Sequence, residues 1–330
     1  MTDMDNKVTI VIPNYNGIKF LDNCLRSLSR QTVKADVIVV DNGSDDAGIP
    51  ETKEKIKAHP ERYPVVQFKV LSSNTGFANA VNVGISMCNT EYVILLNNDT
   101  VADERMTERL LHAISRRKNI FSVGAKMLSM KDRHLIDDAG DLYCALGWAF
   151  SPGRDKNSAS YSKPAKVTSA CAGAAIYNKS IMDEIGGFDD VHFCYLEDVD
   201  VGYRARIYGY ENWYEPTAIV YHAGSGTSGS RYNVFKEELT VANNLYLIYK
   251  NMPALQILFN LPLLILGILI KQLYFLKKGL GVAYAKGLLK GIKKIIRHCD
   301  RKVAFEGKNL KNYLVIELEL LVNCIRRLVG

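Results

Sequence analysis

Short apolar runs alternate with amphipathic segments through the first hundred residues. The runs at 8–12, 36–40, 65–71 and 92–96 are rich in Val, Ile and Leu, a composition typical of strands buried on both faces of a parallel sheet. The segment 18–28 carries apolar residues at helical spacing, and helices are also expected after the second and third runs. Because strands alternate with helices, the pattern predicts an α/β fold with a mostly parallel, doubly wound sheet.

Asn, Asp and Gly residues follow these apolar runs. The carboxyl ends of parallel strands meet at one edge of a sheet, which is where open α/β sheets bind ligands. The fourth run stops at Asn97, Asn98 and Asp99, so Asp99 is expected where a divalent cation would neutralise phosphates. Asp41 ends the second run and could accept hydrogen bonds from a nucleoside. The alternative is that both carboxylates only cap the helices that follow.

Composition and short motifs exclude several classes of protein. No G-x-G-x-x-G follows the first run and no G-x-x-x-x-G-K-[ST] occurs, which argues against a classical dinucleotide fold and a P-loop. The 330 residues, 48% of them hydrophobic, can form a large α/β domain and an appendage. Seven scattered cysteines without a C-x-x-C pair favour a reducing compartment and disfavour a cysteine zinc site. The polar start predicts no secretory signal peptide.

Positive charge is concentrated near the C-terminus. Residues 271–330 hold 14 Lys and Arg against 4 Asp and Glu, a net charge of +10, which leaves −3 for residues 1–270 of the total of +7. A basic segment that follows an apolar one indicates an anionic membrane surface rather than nucleic acid as the partner.

Six ordered motifs over about 7–225 carry a resemblance to a known family. The chain resembles the family-two, inverting GT-A glycosyltransferases, and within them the rhamnosyltransferase-like branch. The motifs are VTIVIPNYNG (8–17), VVDNGSDD (39–46), NTGFANAVNVG (74–84), LLNNDT (95–100), CAGAAIY (171–177) and FCYLEDVDVGYRARIYGY (193–210).

The resemblance implies a nucleotide-sugar donor site along the first loops. Pro13, Tyr15 and Asp41 match positions that contact the base and the nucleoside. Gly76 and Asn82 belong to the loop expected near the diphosphate and the sugar. The donor implied is a dTDP- or UDP-sugar, with rhamnose as the first candidate and other hexoses using the same motifs.

A metal site for Mg²⁺ or Mn²⁺ is implied at the end of the fourth run. Asn97 and Asp99 match the two ends of the family's D-x-D-type motif, but Asn replaces the first Asp. We therefore assign metal ligation to Asp99 and a donor contact to Asn97. One carboxylate binds a hard cation weakly, and the resemblance implies His222, which follows the apolar run 218–221, as the second ligand. The alternative for His222 is a structural role.

Two adjacent acids are expected to act on the acceptor. From the family pattern Asp198 is the general base and Glu197 its acceptor-binding neighbour; burial beside a second carboxylate raises a carboxyl pKa toward the useful range. Gly173 lies in a small-residue segment that lets backbone approach the sugars. The alternative is that the acids only cap a helix at 199–208 and pair with arginines, a role we expect for Asp200 with Arg204 or Arg206.

Other segments were assigned by composition. The polar region 129–165 is expected to form acceptor-side loops, in which Trp148 could stack on a sugar, belong to the core or form part of a lid. The Gly/Ser stretch 224–230 suits a lid or a linker. We divide the chain into a GT-A domain over 1–228 and a helical, apolar and basic tail over 229–330.

The tail is expected to attach the protein to a membrane. Residues 254–270 are 17 uncharged residues, the lower limit for a spanning helix, and 286–297 form a basic amphipathic pattern. Nucleotide sugars are cytosolic and a basic tail also favours the cytoplasmic side. We therefore expect peripheral or monotopic attachment at the cytoplasmic face of the cell membrane. The alternatives are one true span, or a helical appendage whose apolar face forms a homo-oligomer.

The function implied is transfer of a sugar, rhamnose or a hexose, to a hydroxyl of a lipid-linked glycan in cell-surface polysaccharide synthesis. Two other classes are weighed against it. A sugar nucleotidyltransferase would need a glycine-rich, basic N-terminal loop, but the first loop is PNYNG. A catalytically inactive sugar-nucleotide-binding protein would lose acids that this chain keeps.

Overall fold

A computed structural model describes residues 7–46, 48–224 and 232–329. The stretch 225–230 that suits a lid or a linker, and the division at 228/229, lie outside the described residues.

The strands of the described residues form one large sheet and a small hairpin. In the large sheet their order is β10-β12-β6-β11-β4-β1-β2-β3, with β5 beside β12 and β7 beside β6, while β8 and β9 pair with each other. The strands are β1 (Val8–Asn14), β2 (Asp36–Asp41), β3 (Val66–Val70), β4 (Tyr92–Leu96), β5 (Thr100–Ala102), β6 (Ile120–Ser129), β7 (Ile136–Asp138), β8 (Leu142–Cys144), β9 (Trp148–Phe150), β10 (Ala165–Val167), β11 (Ala174–Asn178) and β12 (Glu211–His222).

The helices flank this sheet and continue into a C-terminal group. They are α1 (Ile18–Ser29), α2 (Gly48–Ala58), α3 (Phe77–Ser86), α4 (Met106–Ile114), α5 (Lys179–Ile185), α6 (Glu197–Ile207), α7 (Val234–Asn251), α8 (Ala254–Lys277), α9 (Gly281–Arg297) and α10 (Leu310–Val329).

The parallel part of the sheet confirms the alternating pattern of the sequence. β1 pairs in parallel with β2 and β4, and β2 pairs in parallel with β3, so the carboxyl ends of these strands share one edge. β11 enters between β4 and β6 antiparallel to both, which makes the sheet mixed. β12 runs parallel to β6, and its last residue, His222, lies opposite Thr100 of β5.

Side chains of alternate strand positions build two separate core layers. Ile10 and Ile12 of β1 pack with α1 and α4 on one face, whereas Val11 packs with α3, α5 and α6 on the other. Both faces of the central strands are therefore buried, which explains their continuous apolar runs. The fold class predicted from the sequence, an α/β sheet with a helical C-terminal region, is confirmed.

The C-terminal helices share a core with the α/β part. Tyr143 of β8 and Tyr203 of α6 are fully buried against Leu247 of α7 and Tyr313 of α10. The hairpin of β8 and β9 lies in the region 129–165 that was expected to be irregular. Its strands have three residues each, too short for a periodic signal in the sequence.

Among the described residues, α8 is one helix that is long and apolar enough to cross a membrane, and only 22% of its most apolar window is buried. The basic segment 286–297 forms the greater part of α9, but its basic face is not wholly free. Gly287 and Gly291 lie directly against α7, and Lys290 and Lys294 turn toward it to bind Glu238 and Asn243. The apolar-versus-basic pattern did not reveal this packing, because glycines carry the contact.

Candidate active site

A single cavity runs along the carboxyl edge of the sheet and then out between α8 and α10. Loops after β1, β2 and β4 line one end of it, and the first turn of α6 lines the middle. Of the residues predicted to act, those on this wall are Pro13, Tyr15, Gly76, Asn97, Asp99, Gly173, Glu197, Asp198 and His222.

Asp41 is buried at the end of β2 and organises the nearby loops. Its Oδ1 accepts hydrogen bonds from Asn14 Nδ2 at 2.8 Å and from Ser44 Oγ at 2.6 Å. Asn14 Oδ1 in turn accepts one from Asn98 Nδ2 at 2.7 Å, which joins β1 to the loop after β4. Asp41 itself is not on the cavity wall, where its neighbour Asn42 lies.

The loop before α3 requires glycine at position 76. Gly76 has φ +89°, and a Cβ there would lie 2.5 Å from the carbonyl oxygen of Phe193. Asn82, predicted to lie near the diphosphate and sugar, is instead bonded to the backbone of Phe188, through Nδ2 at 2.7 Å and Oδ1 at 3.2 Å. The structure therefore does not bring Asn82 to the cavity.

Asp99 and His222 converge on one point although 123 positions separate them. His222 Nε2 lies 3.1 Å from Asp99 Oδ1, because β12 pairs with β5 directly after the Asn97–Asp99 loop. The other ring nitrogen, Nδ1, lies 2.6 Å from Asp137 Oδ2. A carboxylate that accepts from Nδ1 leaves Nε2 as the ligating atom, an arrangement common behind metal-bound histidines.

Asp137 was not singled out in the sequence, where it is one of several acids in a polar region. Burial alone would disfavour the imidazolium of His222, but hydrogen bonds to Asp137 and Asp99 outweigh it and raise the pKa of His222 to about 9. The donor set of one carboxylate, one imidazole and a supporting carboxylate fits a hard divalent cation that takes its other ligands from phosphate and water.

Asn97 and Gly173 are in direct contact on the cavity wall. Asn97 N–H donates to the carbonyl oxygen of Gly173 at 2.9 Å, across the pairing of β4 and β11. A Cβ at Gly173 would lie 3.1 Å from Asn97 Nδ2, so a larger residue would push on that side chain.

Glu197 and Asp198 begin α6, two residues earlier than the helix predicted at 199–208. Asp198 accepts hydrogen bonds from the backbone N–H of Ala172 at 3.2 Å and of Val199 at 2.8 Å. Burial raises the pKa of Asp198, and burial together with the charge of Asp198 raises the pKa of Glu197 well above its usual value. Among the described residues, Glu197 Oε2 is buried without a hydrogen-bond partner.

The loop before α6 is strained and is secured from outside the sheet. Phe193, Tyr195 and Leu196 have φ between +62° and +70°, the left-handed region that bulky residues rarely adopt. Asn243 Nδ2 of α7 donates to the carbonyl oxygens of His192, Cys194 and Tyr195 at 2.8 to 2.9 Å. A helix of the C-terminal group thus fixes the loop that presents the two acids.

Comparison with known proteins identifies the family of this fold and site. Residues 9–186, more than half of the chain, match the sequence model of glycosyl transferase family 2. The chain belongs to glycosyl transferase family 2. It is 27% identical over 253 residues to N-acetylglucosaminyl-diphospho-decaprenol L-rhamnosyltransferase of Mycobacterium tuberculosis, a match that covers 69% of this chain and 79% of the relative.

Another relative of this family-2 glycosyltransferase matches over a shorter region, and two solved structures share its fold at lower sequence identity. It is 34% identical over 108 residues to poly(ribitol-phosphate) β-N-acetylglucosaminyltransferase TarP of Staphylococcus aureus, about a third of each chain. In solved structures it resembles GalNAc-T7 with UDP, GalNAc and Mn²⁺ (TM-score 0.59, 14% identity, 76% of this chain and 48% of the other). It also resembles mannosyltransferase PcManGT of Pyrobaculum calidifontis with GDP-Man and Mn²⁺ (TM-score 0.56, 13% identity, 98% and 87%).

The family match confirms that the protein is a glycosyltransferase, and the structural likenesses confirm the GT-A fold. The rhamnosyltransferase-like resemblance predicted from the motifs is also confirmed.

A further acidic cluster of this glycosyltransferase was missed from the sequence, and two of its members, Asp141 and Cys171, line the cavity wall. Ligand atoms of Asp138, Asp141 and Cys171 lie within 4.8 Å of one another. Burial raises the pKa of Asp138 to about 6, and burial with the charge of Asp138 raises the pKa of Asp141 well above its usual value. No short motif joins these residues, so only the pairing of separate strands reveals the cluster.

A third cluster, Asp189, His192 and Asp200, lies outside the cavity wall beneath α6 and α7. Lys250 Nζ lies 2.6 Å from Asp189 Oδ2 and 2.9 Å from Asp200 Oδ2, and Arg204 also binds Asp200. The pairing of Asp200 with Arg204 was expected from the sequence. Because an ammonium and a guanidinium already neutralise these carboxylates, the cluster is a structural ion network rather than a favourable metal site.

Proposed function

We propose that this glycosyltransferase is an inverting, metal-dependent enzyme that moves a sugar from a nucleoside diphosphate to a hydroxyl of a lipid-linked glycan. Rhamnose from dTDP is the first candidate, since the curated relative with the longest match reported above is named a rhamnosyltransferase. The observation that carries the proposal is that one cavity holds both the Asp99–His222 pair and the Asp198–Glu197 pair.

Asp99 and His222 would hold Mg²⁺ or Mn²⁺ together with the donor diphosphate. The cation would supply positive charge to the leaving diphosphate. Two of the structures with this fold carry Mn²⁺ and a nucleotide, which supports the same requirement here. Asp137 would orient the imidazole of His222 through its hydrogen bond to Nδ1.

The loops after β1, β2 and β4 would bind the donor. Pro13, Tyr15 and Asn97 would line the nucleotide part, and Gly76 would let backbone approach the diphosphate. Asp41 would act indirectly, because its hydrogen bonds to Asn14 and Ser44 shape the loop beside the nucleoside.

Asp198 would be the general base. The acceptor hydroxyl oxygen forms a bond to the anomeric carbon of the sugar while the bond from that carbon to the diphosphate oxygen breaks. The hydroxyl proton passes to the carboxylate of Asp198, and the single displacement inverts the anomeric configuration. Glu197 would bind the acceptor, with Gly173 providing close approach of backbone.

The lipid-linked acceptor is supported by the named substrate of the mycobacterial relative and by the exposed apolar helix α8. We propose peripheral or monotopic attachment at the cytoplasmic face of the membrane, where cytosolic nucleotide sugars and a lipid-anchored acceptor meet. The division near 228/229 remains our proposal for where the catalytic and membrane-associating parts join.

Calorimetric titration of the purified protein with UDP, dTDP and GDP, each with Mg²⁺, with Mn²⁺ and with EDTA, tests the donor site. We expect one nucleotide to bind, and Asp99→Ala to weaken it by about tenfold or more through loss of the metal contact. The matched control is Asp36→Ala, an exposed acid at the opposite end of β2. Metal-independent binding, or equal loss in the control, would contradict the metal assignment.

The same preparation tests the base. Asp198→Asn keeps the shape of the side chain but removes its ability to take a proton, so we expect nucleotide binding to persist while sugar transfer falls by a factor of about a hundred or more. Transfer that survives this change would overturn the assignment of Asp198.

A further inference from the structure

The far end of the cavity lies between two helices that expose apolar side chains. Leu264 and Ile268 of α8 and Leu318 and Val322 of α10 line it. Leu318 is 65% exposed, and the same face of α10 continues with other exposed residues. Beyond the cavity wall, further leucines of the two helices are exposed: Leu255, Leu258, Leu261, Leu266, Leu269, Leu273 and Leu276 of α8, and Leu314, Leu321 and Leu328 of α10.

Two cations stand where this apolar section joins the rest of the cavity. Both contact aromatic rings of β9: Lys271 Nζ of α8 lies 5.7 Å from the ring centre of Trp148, and the guanidinium of Arg327 of α10 lies 5.6 Å from that of Phe150. Trp148 is itself fixed by a hydrogen bond from Nε1 to the carbonyl oxygen of Gly267 at 3.2 Å. Trp148 thus contacts a cation and α8 at the cavity wall.

Neither cation forms an ion pair with a described carboxylate. Across residues 7–46, 48–224 and 232–329, no carboxylate lies within 4.0 Å of Lys271 or of Arg327. Burial lowers the pKa of Lys271, Glu237 on the same cavity wall raises it, and the charge of Arg327 lowers it to a smaller extent. Two cations that face one cavity without an ion-paired carboxylate favour binding of an anion there.

We propose that Lys271 and Arg327 bind the diphosphate of a prenyl-diphosphate-type lipid, with its hydrocarbon chain lying along the apolar faces of α8 and α10. This inference rests on the proposed lipid-linked acceptor and assigns a binding site to its lipid diphosphate. The glycan that extends from the diphosphate would then follow the cavity toward Asp198. An apolar chain beside a doubly charged headgroup matches the apolar-and-cationic composition of this end of the cavity.

The test uses farnesyl diphosphate as the probe and measures its affinity for the full chain in EDTA, where the donor site has no cation. We expect Lys271→Gln/Arg327→Gln to bind it about tenfold more weakly or worse. The matched control Lys277→Gln/Lys311→Gln removes two exposed cations from the same helices away from the cavity and should bind like the wild type. Lys271→Arg should retain binding, and melting temperatures verify that each variant folds.

Inorganic pyrophosphate and farnesol separate the two halves of the ligand, and both should bind more weakly than farnesyl diphosphate. Pyrophosphate binding as tight as that of farnesyl diphosphate would show that the hydrocarbon chain adds no affinity, and would overturn the proposed lipid-binding site. Displacement of the probe by the nucleotide would mean that it occupies the donor site, and would overturn it too. If the wild type binds nucleotide with metal but does not bind farnesyl diphosphate through Lys271 and Arg327, this inference alone is refuted. Absence of nucleotide binding in the wild type refutes the proposed function.

Discussion

Glu197 and Asp198 are neighbours in the chain but have different surroundings. Asp198 accepts two backbone N–H groups, which stabilise its ionised form, whereas Glu197 has a buried oxygen without a partner among the described residues. The pKa of Glu197 is raised well above its usual value, and that of Asp198 is also raised, with burial opposed by its backbone hydrogen bonds. These surroundings favour Asp198 as the residue that is ionised, and therefore able to accept a proton, at neutral pH.

The pH dependence of transfer follows from the direction of this shift. A raised pKa means that Asp198 takes up a proton at a higher pH than an ordinary carboxyl, and the protonated acid cannot act as a base. We expect kcat/KM to fall as pH decreases, with the fall beginning above the usual carboxyl range. Because its own raised pKa keeps Glu197 protonated where Asp198 titrates, Glu197→Gln exchanges one neutral group for another, and the acid limb of the pH–rate profile should stay in place.

The control for this profile is Glu184→Gln, an acid on the surface that bonds Tyr210 away from the cavity. An acid limb that moves to lower pH in Glu197→Gln would show that Glu197 is charged where Asp198 titrates, and would contradict this assignment of the two acids.

At the scale of residues, the sequence was informative where a motif ends a strand. Asp99 and His222 were both predicted, and the structure brings them to 3.1 Å. Asp137 was missed because its role depends on β7 lying beside β6, a pairing that leaves no periodic trace in three residues. Asn82 has the right motif, but its amide is committed to the backbone of Phe188.

At the scale of elements, α6 and α7 are joined by a buried ion network. Lys250 bonds Asp189 and Asp200 while all three side chains are almost wholly buried. Burial opposes ionisation of these carboxyls, but Lys250 outweighs it and lowers the pKa of Asp189, and with Arg204 it lowers that of Asp200 well below its usual value. The network therefore connects α6, which begins with Glu197 and Asp198, to the C-terminal group.

Removal of Lys250 should be costly. Lys250→Met leaves two buried carboxylates with less compensation, and we expect the free energy of unfolding in urea at pH 7 to fall by about 3–5 kcal/mol. Lys57→Met, at an exposed position of α2, is the matched control and should change stability by less than about 0.5 kcal/mol.

Acid provides a second readout of the same network. Because the folded-state pKa values of Asp189 and Asp200 are lowered, their contribution is present above the ordinary carboxyl pKa and is lost as pH falls through the lowered values. The difference in stability between wild type and Lys250→Met should therefore narrow in strong acid. A constant difference at all pH values would mean that Lys250 acts through packing alone.

The bounds of β1, β2 and β4 followed from the sequence to within two residues, because each of these buried strands is a continuous apolar run. The C-terminal helices were harder to interpret. α9 has the pattern of a free amphipathic helix, yet it packs on α7 through Gly287 and Gly291, where a Cβ would lie 2.8 to 2.9 Å from α7 atoms. Hydrophobic periodicity does not register contacts made by residues without side chains.

At the scale of the whole molecule, the exposed apolar surface of α8 is the feature that predicts attachment to a membrane. Leu258, Phe259 and Leu266 share a helix face and are 48–67% exposed. A deletion after residue 250 would also remove Tyr313, which is buried against Tyr203 in a common core, so truncation would disturb the catalytic part as well. Point substitutions on the exposed face avoid that complication.

We expect Leu258→Gln/Phe259→Gln/Leu266→Gln to reduce co-sedimentation with vesicles of phosphatidylglycerol and phosphatidylcholine by about tenfold or more, since burial of each side chain in the interface contributes roughly 1.5–3 kcal/mol. Val65→Gln/Val70→Gln, which removes exposed valines beside and at the end of β3, is the matched control. A variant that still sediments with vesicles, or that changes from oligomer to monomer in solution without losing vesicle binding, would contradict the membrane assignment.

Asn243 has a consequence for protein engineering. One amide on α7 supports three carbonyl groups of the strained loop that precedes Glu197 and Asp198. A chimera that exchanges lipid specificity between relatives must therefore inherit α7 and the loop at 192–196 from the same parent. Recombination breakpoints should therefore lie after Asn251, where Met252 and Pro253 separate α7 from α8. An earlier junction would combine α7 of one parent with the loop at 192–196 of the other.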